Sequence, residues 1–187
     1  TPMYSLDTQS NMFTARSELL ASQDYDGDGI IEIPSQRPLL GSQKYESPKN
    51  MYEQMNVTSW IEVRSSKDFE FTETLVNASD SYILDFKPLE NIMGDFTVYS
   101  YSNTRTWIFK EYSAKYETAG DDLFAIICTT KDSANRKGVK SENYLIENDD
   151  GTVVYFESRE KGAKAGITVK SIEPYIKIFK DKELAAK

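Results

Sequence analysis

Histidine is absent from this chain. Its absence removes Ser-His and Cys-His nucleophilic pairs, His-ligated zinc and imidazole acid-base chemistry together. There is one cysteine, Cys128, so no internal disulfide can form. It lies in Leu123-Phe124-Ala125-Ile126-Ile127-Cys128, an apolar run that reads as a buried strand with the thiol as a small core filler. No stretch approaches the ~20 apolar residues of a membrane span. Positive charge is also scarce: 22 Lys and Arg stand against 30 Asp and Glu, a net charge of -8. Such a surface repels phosphate backbones, and no basic stripe compensates, so nucleic acid is excluded as a partner. The chain opens at Thr1 without the charged and apolar regions of a signal peptide. Export would therefore require a leader outside this chain, and the abrupt start reads as a segment of something longer.

Aromatic residues are plentiful. Twelve tyrosines and nine phenylalanines favour strands and wet binding surfaces over disorder. The patterning agrees. Trp60-Ile61-Glu62-Val63-Arg64 opens a series of strand signals. Phe69, Phe71 and Leu75 alternate with Glu70 and Thr72 at the period of a half-buried strand. Tyr82, Leu84 and Phe86 repeat the pattern until Pro88. Phe96 and Val98 mark another strand, Trp107 and Phe109 another, and Leu123 to Thr130 reads as a central strand without alternation. Asp150-Gly151, between Tyr144-Leu145-Ile146 and Val153-Val154-Tyr155-Phe156, predicts a hairpin with a type I′ turn. Ile172, Tyr175, Ile176 and Phe179 are spaced i, i+3, i+4 and i+7, which predicts an amphipathic helix with Ser171 at its N-cap and Pro174 in its first turn. The expected fold is α+β and β-rich, with antiparallel sheets closed by this C-terminal helix. Residues 1–41 form an N-terminal extension, in which 12–21 read as extended. Residues 42–55 form a linker or surface excursion, and 56–187 the β-rich domain.

One motif carries chemistry. Asp24-Tyr25-Asp26-Gly27-Asp28-Gly29-Ile30-Ile31-Glu32 places oxygen donors at positions 1, 3, 5 and 9 of a loop. Three aspartates within five residues repel one another unless a cation lies between them. Calcium takes ~6–8 hard oxygen ligands at ~2.3–2.6 Å, which alternate carboxylates on a curled backbone supply. Gly29 permits the positive φ that turns the chain, Ile30 offers its backbone carbonyl, and Ile31 is expected to anchor the loop in the core. Asp24, Asp26, Asp28, Ile30 and Glu32 are thus the expected ligands of a structural calcium ion. Pro34 and Pro38 exclude a helix after the loop, and Ser35 stands where an EF-hand carries its bidentate glutamate.

With Glu32 at position 9 and a strand to follow, the loop resembles the calcium loop of FG-GAP (VCBS-type) repeats, D-x-D-x-D-G-x-x-D/E. Asp24 to Leu39 is similar to the region closing such repeats in surface lipoproteins of gut-type Firmicutes. Tyr82-Ile83-Leu84-Asp85-Phe86-Lys87-Pro88, Asp122-Leu123-Phe124-Ala125-Ile126 and the C-terminal helix match the texture of the β-rich domain of unknown function that follows there. One repeat cannot build a propeller, so residues 1–41 would be a blade remnant packed on the domain. The resemblance implies a non-catalytic, calcium-stabilised bacterial module at the cell surface or outside the cell, with other domains of the parent protein as its partners.

Other readings compete. Tyr99, Tyr101, Tyr112, Tyr116 and Trp107 would suit a platform for surface glycan or for a peptide or protein, although aromatics at alternate strand positions also serve as cross-strand pairs and core. Asp121-Asp122 and Asp149-Asp150 would be the paired acids of a carboxylate-only hydrolase, although adjacent aspartates are usual in turns. Lys131, Arg136, Lys137 and Lys140 read as a solvated loop. The sequons at Asn56 and Asn77 are assigned no glycan.

Overall fold

The computed structural model describes residues 20–42, 45–47, 50–65 and 68–179. Expectations for residues 12–19 and for the end of the C-terminal helix beyond Phe179 lie outside them. The chain divides into two compact units: residues 1–37, 56–86 and 178–187 in one, 38–55 and 87–177 in the other. This differs from the expected division at 41 and 55. The strand after the aspartate loop, β1 (Ile33–Pro38), hydrogen-bonds to β4 (Asn56–Ser65) and so belongs to the first sheet. Within the expected linker, β2 (Tyr45–Ser47) and β3 (Asn50–Tyr52) pair antiparallel, and Glu53 pairs with Ser100, inside the second unit.

The first sheet runs β1-β4-β5-β6-β12, with β5 at Asp68–Asn77, β6 at Tyr82–Asp85 and β12 at Ile176–Ile178. Val57, Leu75 and Leu84 stand opposite one another along the ladder, each without accessible surface. The opposite face carries Trp60, which packs with Leu20, Ile83 and Phe179. The alternation expected in β5 is present, but its apolar half is not covered where the strand begins. Phe69 and Phe71, across from Val63 and Ile61, are 45% and 66% exposed. After β6, Phe86 opens α1 (Phe86–Met93), and Pro88 sits in that helix's first turn, where its missing N–H removes no helical bond.

The second sheet runs β10-β11-β9-β8-β7, from Tyr144–Glu147, Thr152–Ser158, Thr118–Thr130, Thr106–Ser113 and Phe96–Tyr101 respectively. All its pairings are antiparallel. The run from Leu123 lies in the middle of it, as its lack of alternation predicts, because both faces are covered. On one face Phe109, Phe124 and Phe156 stack in a row, with ring centroids 4.3 and 5.1 Å apart. On the other, Val153 and Tyr155 pack with Ala134 of α2 (Lys131–Arg136). Cys128, 2% exposed, fills this strand as expected.

Two local expectations are corrected. The β10–β11 hairpin forms, but only Gly151 has positive φ, at 81°, so the turn is not type I′. Instead Gly151 N–H bonds to Asn148, Asn148 N–H bonds to Thr152, and the Asp150 carboxylate accepts from the Thr152 N–H and hydroxyl. The predicted C-terminal helix is replaced by three short pieces: α4 (Val169–Ile172), a 3-10 turn over Glu173–Tyr175 and β12. Thr168 starts α4 through a capping box with Ser171. Beyond the turn the backbone joins β6, and the Phe179 N–H bonds to Ser81 at 2.9 Å. Ile172 is then buried from a helical turn and Ile176 from a strand. A helical spacing of apolar residues is thus satisfied by two different elements, with tertiary pairing overriding local preference.

Candidate metal centre

The aspartate loop is closed at its base. Gln23 and Glu32 form an antiparallel bridge, with N···O distances of 3.2 and 3.0 Å in the two directions. Within it the aspartates curl the backbone onto themselves. Asp24 accepts from the Gly27 N–H at 2.7 Å through one oxygen and from the Gly29 N–H at 3.1 Å through the other. Asp26 accepts from the Asp28 N–H at 3.2 Å, and Asp28 from the Ile30 N–H at 2.8 Å. Gly27 and Gly29 adopt φ of 85° and 91°. A Cβ at either would meet no atom within 4 Å, so conformation rather than space demands glycine there.

These bonds bring together Asp24, Asp26 and Asp28, whose nearest carboxylate oxygens lie within 4.8 Å of one another. Oxygens at ~2.3–2.6 Å from one calcium ion lie at most about 5 Å apart, so three carboxylates at this spacing can share one. A carboxylate has roughly four lone-pair sites. Each aspartate oxygen that accepts an N–H therefore keeps capacity for an ion. Asp26 and Asp28 are exposed and Asp24 half-buried, so water has access to complete a coordination shell. The donor set is all oxygen and anionic, which suits a hard cation and not a thiophilic or imidazole-seeking metal.

Glu32 is held differently. It is only 3% exposed, and its carboxylate accepts the Tyr25 N–H at 2.9 Å instead of joining the three aspartates. Burial raises its pKa above the usual carboxylate range. The Tyr25 N–H partly opposes this, while the fields of Asp26 and Asp28 add to it. A carboxylate with a raised folded-state pKa costs stability at high pH, and that cost vanishes once pH falls below its unfolded value. Glu32→Gln keeps an acceptor for Tyr25 and removes the charge. It is expected to stabilise the metal-free protein at neutral pH, a gain that fades on acidification through the carboxylate range. Urea titrations of both proteins across pH check this; an advantage that persists at low pH would contradict it.

The core anchor of the loop is not Ile31, which is 57% exposed. It is Tyr25. With Asp24, Asp26 and Asp28 turned to one side, the residue between the first two faces the sheet, and its ring stacks on Trp60 at 4.8 Å and 11°. Burial pushes the Tyr25 phenol pKa up, against the effect of its hydrogen bond with the Thr72 side chain. Trp60 is fixed in turn by its indole N–H on the Thr74 hydroxyl, 2.9 Å away. The one hint of this in the sequence is an aromatic residue at the second position of the loop. Ile30 closes the turn through its N–H, as noted, with its side chain 40% exposed.

The other candidate sites disperse. Trp107 is 4% exposed, and strand alternation puts it on the sheet face opposite Tyr99 and Tyr101. Tyr116 is 69% exposed in the β8–β9 turn, so the five aromatics share no single platform. Asp122 pairs with Lys110, whose ammonium also lies over the Tyr99 ring, and Asp121 lies 3.9 Å from Lys161. Asp150 is engaged in its own turn, and the hydrogen bonds from Thr152 hold its pKa low. Lys131 pairs with Glu147 and Lys140 with Glu142. Asn77 is 8% exposed and bonds to Asp80. Among the described residues no helix is long and apolar enough to cross a membrane. The chain matches no protein-family model, no curated protein and no solved structure.

Proposed function

We propose that the chain is a non-catalytic module whose Asp24–Glu32 loop holds a structural calcium ion, and that it serves at the cell surface or outside the cell as part of a larger lipoprotein. The observation that supports the ion is the convergence of the Asp24, Asp26 and Asp28 carboxylates within 4.8 Å. The surface-lipoprotein setting rests on the resemblance of the Asp24 to Leu39 run to the region closing FG-GAP repeats. Asp24, Asp26 and Asp28 would hold the ion directly, with the Ile30 carbonyl and water completing the shell. The ion would cancel the mutual repulsion of the aspartates and relieve the field they impose on Glu32. Three partly solvated carboxylates suit the weak class of calcium sites, with dissociation constants of ~10⁻⁴–10⁻³ M, which fill where calcium is millimolar, as it is outside cells.

At a hundredfold excess over its dissociation constant, about 10–100 mM calcium for a site of this class, the ion stabilises the folded state by ~2.7 kcal/mol. For a chain of this length that is a rise of about 5–10 °C in melting temperature. Scanning calorimetry with calcium and with chelator measures it. Asp26→Ala is expected to abolish the difference while leaving the chelated protein as stable as the wild type or slightly more so. A wild-type melting temperature indifferent to calcium would overturn the proposal.

A further inference from the structure

We draw no further inference here: the strongest candidate, the exposed apolar end of the β4–β5 hairpin where Phe69 and Phe71 share a sheet face with Ile61 and Val63, carries none, because nothing in the structure shows what covers it.

Discussion

Trp60→Ala is expected to cost about 3–5 kcal/mol of unfolding free energy, the range for truncating a large buried aromatic. It is also expected to weaken calcium binding at the aspartate loop, through Tyr25. The indole is 1% exposed and supports both Tyr25, stacked on its ring, and Phe179, tilted against it at 5.9 Å. Removing it opens a cavity and leaves the Thr74 hydroxyl without its indole donor. Tyr25 loses the surface that fixes it, and Tyr25 lies in sequence between two of the proposed ligands. If calcium orders the loop, and the ordered loop presses Tyr25 onto Trp60, linkage requires that weakening the stack weaken calcium binding by the same coupling energy. Denaturant unfolding measures the first effect and calorimetric titration of calcium the second. Tyr25→Phe is the milder companion: it keeps the stack, loses the Thr72 bond and should bind calcium nearly as the wild type does. An unchanged calcium affinity in Trp60→Ala would mean that the stack does not position the loop.

The strands were legible because their causes are local. In β9 the apolar run without alternation records that both faces are covered, and in β5 the alternation records which side chains share a face. The aspartate loop was legible for the same reason: its bends are made by side chains bonding to N–H groups two to five residues on. What the sequence concealed depends on distant partners. That Glu32 is buried against the Tyr25 N–H, and Ile31 turned to solvent, is decided by the Gln23–Glu32 bridge, and hydropathy ranks those two residues the other way. The segment after Thr168 has the spacing of a helix, but its end pairs with β6, which lies far away in sequence. The exposure of Phe69 and Phe71 was illegible too, because period-two alternation says which residues share a face and not whether that face is covered.

Gly162→Ala tests a contact of this distant kind, and its sign separates two descriptions of α3 (Glu160–Lys164). Taken as an isolated helical turn, Glu-Lys-Gly-Ala-Lys is improved by alanine, which is worth about 0.5–1 kcal/mol over glycine in a helix. In the fold, a Cβ on Gly162 would stand 1.9 Å from the Leu123 carbonyl oxygen and 2.7 Å from its carbonyl carbon. Those atoms belong to central strand β9, so no side chain can swing aside to make room. The helix would have to lift off the sheet. Doing so strains the bond from the Arg159 N–H to Leu123, 3.3 Å, and the bond from the buried Ile167 N–H to the Gly162 carbonyl, 2.9 Å. Overpacking a site typically costs ~1–3 kcal/mol, and a clash between two backbones belongs at or above the top of that range. The expected result is therefore a loss of about 3 kcal/mol where propensity alone forecasts a gain. Gly166→Ala provides the scale: its φ is 78° with open space around it, so only the ~1–2 kcal/mol of left-handed strain applies. Urea unfolding of the two variants should rank Gly162→Ala as the more damaging. A neutral or stabilising Gly162→Ala would show that α3 does not rest on β9, and that the covering of the central strand on this side has another origin.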